Sequence, residues 1–239
     1  PCDINAMKVQ ARIYAGNGGF VDVYYERMRQ LAKYILMPCN GGDDTCFCVS
    51  MGTNTTDNYS LAVKPTEDGM LFEVKDEDLA AYFADAAAAD FAPEFVTENE
   101  LEAHIPEIPD REVLNALKKH DVWKQFNGRC ISCGACTIAC STCTCFTTRD
   151  VIYGDNPEVG ERRRVWASCQ VDGYTEMAGG HGFRKTNADR VRFKVMHKIY
   201  DFEKRFGYPM CVGCGRCDDV CPEYISYSNL VNRLAKEEN

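Results

Sequence analysis

The chain has 239 residues, 45% hydrophobic and 26% charged, with a net charge of −9 and 15 cysteines. This is the composition of a folded chain, and no apolar run reaches the roughly 18–20 residues that a membrane span requires. Residues 1–120 carry 10 Lys/Arg against 21 Asp/Glu and residues 121–239 carry 17 against 15; the acidic first half disfavours nucleic acid, which is bound by neutralising phosphates.

In chain order, residues 20–33 place Tyr24, Met28 and Leu31 at helical spacing. The apolar run 34–37 then reads as a buried strand ending at Pro38-Cys39. Residues 59–64 and 70–75 read as two strands joined by a turn at Asp68-Gly69. Asp76 is placed to cap a helix through the Ala-rich stretch to Ala89, and Thr97 stands as an N-cap before Glu98, Asn99 and Glu100. Three prolines between Ala92 and Pro109 mark a linker. Residues 1–105 are therefore expected to form an acidic α+β module with an α/β-type character, and residues 106–239 a second, cysteine-rich domain.

That second half opens with a helix from Pro109 to about Phe126. Between its cysteine runs, Val191, Val195, Ile199, Phe202 and Phe206 lie on one face of an inserted amphipathic helix, Asp189–Phe206, stopped by Gly207 and Pro209. The opposite face, with Arg190, Arg192, Lys194, Lys198, Lys204 and Arg205, reads as solvated.

The cysteines carry the chemistry. Cys130, Cys133, Cys136 and Cys140 are spaced C-x2-C-x2-C-x3-C, and Cys211, Cys214, Cys217 and Cys221 repeat the spacing with Pro222 behind. Three thiolates at i, i+3 and i+6 on a tight loop wrap three irons of a cubane, while the fourth points to a second cluster. The expected ligand sets are thus crossed: Cys130, Cys133, Cys136 and Cys221 for one [4Fe–4S] cluster, and Cys211, Cys214, Cys217 and Cys140 for the other. Gly134, Gly213 and Gly215 let these loops curl. Structural zinc prefers paired C-x2–4-C units and fits less well. Cys2, Cys39, Cys46 and Cys48 make a third expected site, read as another [4Fe–4S], with zinc or unliganded thiols as the alternatives. Cys143, Cys145 and Cys169 take the default of buried, inert thiols, although Cys143 and Cys145 stand close enough to compete with Cys140. The clustering of cysteines and the lack of an export signal point to a reducing, cytoplasmic setting. Neither Gly16–Gly19 nor Gly179–Gly182 is a phosphate loop, Glu161-Arg162-Arg163-Arg164 reads as a solvated or cluster-flanking basic patch, and the four histidines make no hydrolytic constellation.

Three stretches, RCISCGACTIACSTCTCF (129–146), GERRRVWASCQVDGYTEMAGG (160–180) and FGYPMCVGCGRCDDVCPEYIS (206–226), resemble the iron–sulfur electron-transfer component of anaerobic sulfite reductase. They are similar, more distantly, to the iron–sulfur beta subunit of cytoplasmic sulfhydrogenases. PCDINAMKVQ (1–10) and CNGGDDTCFCVSMGTN (39–54) look like the corresponding parts of the same family. The resemblance implies a bacterial dicluster ferredoxin-like domain and an electron-transfer role in a complex. There, a flavin subunit oxidises NADH and a siroheme subunit reduces sulfite to sulfide, with no substrate-converting site in this chain. It also implies a further N-terminal segment, in keeping with a first residue, Pro1, that is not Met. Ser141 stands where the usual ferredoxin pattern has Pro, which weakens Cys140 as a ligand relative to Cys221. The alternatives are the iron–sulfur subunit of a cytoplasmic hydrogenase or sulfhydrogenase, or a redox-sensing binding module.

Overall fold

The computed structural model describes residues 1–236 and mixes helices and strands in an α+β arrangement. It opens with a helix that the sequence pattern had not indicated, α1 (Cys2–Tyr14). This helix bridges two cores: Ile4 packs with Leu36 and Ala62, and Val9 with Phe202 and Met210. Its other side holds the first cysteine run, where Gln10 Nε2 donates to the Ser141 carbonyl at 2.7 Å and the Tyr14 hydroxyl to that of Thr144 at 3.2 Å.

Helix α2 (Val23–Leu31) begins at Asp22, whose carboxylate accepts from the Tyr24 and Tyr25 amides at 3.1 and 2.9 Å. Its apolar stripe stays uncovered, with Tyr24 72% and Leu31 78% exposed. A small sheet follows, in the order β1 (Ile35–Leu36), β2 (Leu61–Thr66), β3 (Gly69–Val74). β1 runs parallel to β2, and β2 pairs antiparallel with β3 from Leu61↔Val74 to Thr66↔Gly69. The expected buried strand is half right: Leu36 is buried, but Ile35 and Met37 face solvent.

The helix expected from Asp76 to Ala89 is cut short. α3 (Glu77–Ala80) passes into a 3₁₀ turn that ends at Phe83, and none of these residues is buried. Alanines without a face to bury cannot hold a short helix, since most helical stability in proteins comes from tertiary packing. No helix follows Thr97. The proline-bearing segment is irregular, yet Leu101, Ala103, Ile105 and Ile108 pack onto the main core, so it is a fitted strap and not a loose tether.

The main core gathers Leu114, Leu117, Trp123, Phe126, Val191, Val195, Ile199, Leu230, Val231 and Leu234, with Phe47 reaching in from the acidic half. α4 (Arg111–Lys119) is capped by Asp110. The chain breaks at His120, whose Nδ1 accepts from the Val122 amide, and resumes in a 3₁₀ turn and α5 (Phe126–Arg129), so the single helix expected over 109–126 is two. α6 (Ala135–Ile138) carries the first run into an exposed hairpin, β4 (Phe146–Ile152) with β5 (Gly160–Trp166). The inserted helix is α7 (Asn187–Met196), a π turn over His197–Asp201 and α8 (Phe202–Phe206). A Thr186/Asp189 capping box starts it and Gly207, at φ 82°, ends it. Short α9 (Arg216–Asp219) carries the second run, and α10 (Tyr227–Lys236) closes the core.

Candidate iron–sulfur centres

Cys130, Cys133, Cys136 and Cys221 line one cavity, together with Lys194 and Tyr227. Cys140, Cys211, Cys214 and Cys217 line another, with Phe47, Lys198 and Tyr227 on its walls. Each run therefore sends three cysteines to one cavity and its fourth to the other, although Cys217 also touches the first. Positive φ at Gly134 and Gly215 lets α6 and α9 begin directly on the loops, so each run turns inward within one helical turn.

The walls are cationic where the sequence predicted a solvated face. Lys194 and Lys198 are buried, 8% and 7% exposed, one turn apart on the inserted helix. Lys198 Nζ lies 2.7 Å from Thr142 Oγ1 and 3.3 Å from Cys140 Sγ. Burial alone would raise the Cys140 thiol, but the Lys198 ammonium brings it down to about 7. Cys211, where burial dominates, is pushed up to about 11. Burial would likewise discharge both lysines, but the cysteines facing them, Cys217, Cys136 and Cys140 around Lys194 and Cys140 and Cys211 around Lys198, shift both the other way. Two buried ammonium groups demand anions. A thiolate-ligated cubane is a net anion, so the donor set and its surroundings fit that group. The buried Tyr227 hydroxyl fits it too, facing Cys211 without a well-formed hydrogen bond and free to donate to a cluster sulfur.

The acidic half abuts the second cavity. The Phe47 amide donates to the Gly213 carbonyl at 2.8 Å, and Cys46 Sγ lies 3.8 Å from the Cys214 carbonyl. A Cβ at Gly213 or Gly215 would collide with the backbone of Phe47–Cys48 or Thr45. These two glycines thus serve the close approach of another chain segment more than the curl around sulfur. Cys39, Cys46 and Cys48 share one neighbourhood, where burial raises the Cys46 thiol and Cys48 and Cys39 add to the effect. Cys2 stands apart from that trio in its strongest interactions: burial raises its thiol to about 11, and its facing groups are Asp3, Cys214 and Arg216. One buried donor in the trio's neighbourhood lacks a partner, Asn99 Nδ2, while Asn99 Oδ1 accepts from the Val49 amide at 2.8 Å.

The other sequence candidates carry no site. Arg162 pairs with Asp150, Arg163 with Glu161 and Arg164 with Asp22, on the exposed hairpin. Gly16–Gly19 and Gly179–Gly180 make turns. Two surface grooves of about 790 and 820 Å³ flank the strap near Pro106 and contain no cysteine. Among the described residues no helix is long and apolar enough to cross a membrane.

Residues 129–225 match the family of the 4Fe-4S dicluster domain. Over 248 aligned residues, covering 98% of this chain and 71% of the other, the chain is 31% identical to sulfhydrogenase 2 subunit beta of Pyrococcus furiosus. The chain belongs to the sulfhydrogenase beta-subunit family. As a member of that family with a dicluster domain, it is an iron–sulfur electron-transfer subunit that uses [4Fe–4S] clusters. The relative is by its name one subunit of a larger enzyme. No solved structure matches.

Proposed function

We propose that the chain relays electrons within a hydrogenase-type complex, the alternative reading of the sequence, through cubanes held by crossed ligand sets. One set is Cys130, Cys133, Cys136 and Cys221; the other is Cys211, Cys214, Cys217 and Cys140. The observation that carries this is the exchange of Cys140 and Cys221 between the two cysteine-lined cavities. Whole-chain similarity to a sulfhydrogenase beta subunit favours the hydrogenase type of complex. The chain supplies thiolates, buried cations and backbone amides; the clusters, when bound, supply one-electron chemistry. A further [4Fe–4S] at Cys39, Cys46 and Cys48 is supported by the unpartnered Asn99 amide beside them, whereas Cys2, the fourth ligand expected from the sequence, faces Asp3, Cys214 and Arg216.

A second reading keeps the cluster chemistry and changes the enzyme: relay from an NADH-oxidising flavin subunit to a siroheme subunit that reduces sulfite. The three stretches that resemble the iron–sulfur component of anaerobic sulfite reductase favour it. Purification of the intact complex separates the two. Hydrogen uptake without siroheme absorption supports the first, and sulfite-dependent NADH oxidation with siroheme in the complex replaces it with the second.

A further inference from the structure

Three cysteines remain outside these sites. Cys143 and Cys145 lie just before β4, and Cys169 just after β5. The hairpin register, Phe146 opposite Trp166, continues past the strands as the Ala167 amide donates to the Cys145 carbonyl at 3.3 Å. No residue of either strand is buried, so the hairpin adds nothing to the core. What it does achieve is to fold Cys169 back onto Cys143 and Cys145. Cys145 stands close enough to both of the others, and to Tyr174, for each to feel its charge, and all four line the same cavity. Cys169 is buried, and its sulfur receives Gln170 Nε2 at 3.5 Å.

These thiols open onto a cavity of about 340 Å³, walled also by Arg184, His197, Lys194 and Lys198, which adjoins the second centre at Cys140. Thiols gathered among cations, with an amide aimed at one sulfur, form a donor set for a thiolate-bound anion. Among the described residues no three Cys, His, Asp or Glu side chains close around a single ion.

We propose that Cys143, Cys145 and Cys169 bind an additional iron–sulfur cluster in this cavity, with the His197 imidazole as the remaining protein donor. Each thiol gives up its proton as it binds iron. The proposal rests on the chain being an iron–sulfur protein but not on the identity of its partner enzyme.

The test is anaerobic reconstitution of the whole chain with ferrous iron and sulfide, followed by iron, zinc and acid-labile sulfide analysis and EPR of the reduced protein. Cys145→Ser/Cys169→Ser is expected to lose one cluster, about four irons and four sulfides for a cubane, while the signals that depend on Cys133 and Cys214 persist. Unchanged iron and sulfide in that variant, or loss of zinc in their place, overturns the proposal. If the double variant does not fold, Cys143→Ser alone must alter one cluster's spectrum or iron content; a variant identical to wild type overturns it equally. A wild-type chain that takes up no iron defeats the iron–sulfur reading as well, so the two failures are distinguishable.

Discussion

Replacing Lys198 by Met removes the charge nearest the second centre with little change in side-chain length. The ammonium is 3.3 Å from Cys140 Sγ. An electron added to the cluster spreads over its irons and sulfurs, so the effective separation is larger, roughly 6 Å. With an effective dielectric constant of about 20, this charge pair is worth about 3 kcal/mol. For a one-electron couple, about 1.4 kcal/mol corresponds to roughly 59 mV, so the shift is on the order of 100 mV. Its sign is fixed: without the cation the more negative, reduced cluster is disfavoured, and the potential falls. An EPR-monitored redox titration reads this directly, with Lys198→Arg as the control that keeps the charge. A folded, fully loaded Met variant whose potentials all match wild type, or move upward, would refute the electrostatic role.

Three further substitutions probe the framework. Gly213→Ala places a methyl against the Phe47 and Cys48 backbone at φ 64°, so it should lower the melting temperature and loosen iron at the third site before the dicluster, as time-resolved chelation would report. Phe47→Ala deletes an aromatic ring 1% exposed in the main core and should cost about 3–5 kcal/mol, read by denaturant unfolding. Asp22→Ala removes the α2 cap and the ion pair to Arg164, for a loss of about 1 kcal/mol. Burial opposes ionisation of Asp22, but the Tyr25 amide and Arg164 outweigh it and hold its pKa below the ordinary 3.8. The contribution is therefore complete above pH 3.8 and lost as pH falls through the lower folded value; wild type and variant should converge in melting temperature only in strong acid.

The sequence exposed those parts of the fold whose cause is local. The β2–β3 hairpin announced itself by two runs around Asp68-Gly69, and the inserted helix by Val191, Val195, Ile199 and Phe202, all of which are buried. The cysteine runs were legible because chelation dictates spacing. Helix α1 was missed because its buried residues, Ile4, Ala6 and Val9, are interleaved with Asn5, Lys8 and Gln10, and Asn5 and Gln10 bond to distant segments. The β4–β5 hairpin left no trace of alternation because neither of its faces is buried, and with it the meeting of Cys145 and Cys169 was invisible. Lys194 and Lys198 were read as solvated by the ordinary rule for charged residues; only the ring of thiols around them, a product of long-range folding, reverses that rule.

The backbone-to-backbone seating of Thr45–Cys48 on Gly213–Gly215 has a consequence for how current would pass. On the proposed ligand sets, the centres stand in series: the acidic-half site touches the Cys214 loop, that loop's cavity meets the Cys130 cavity at Cys217 and Tyr227, and Cys133 emerges at the surface. Along this path every electron between the ends crosses the middle centre, and the Cys143–Cys145–Cys169 cavity branches from it at Cys140. A lesion at Cys214 should isolate the two ends from each other while leaving each reducible from its own side, like a wire cut between intact terminals.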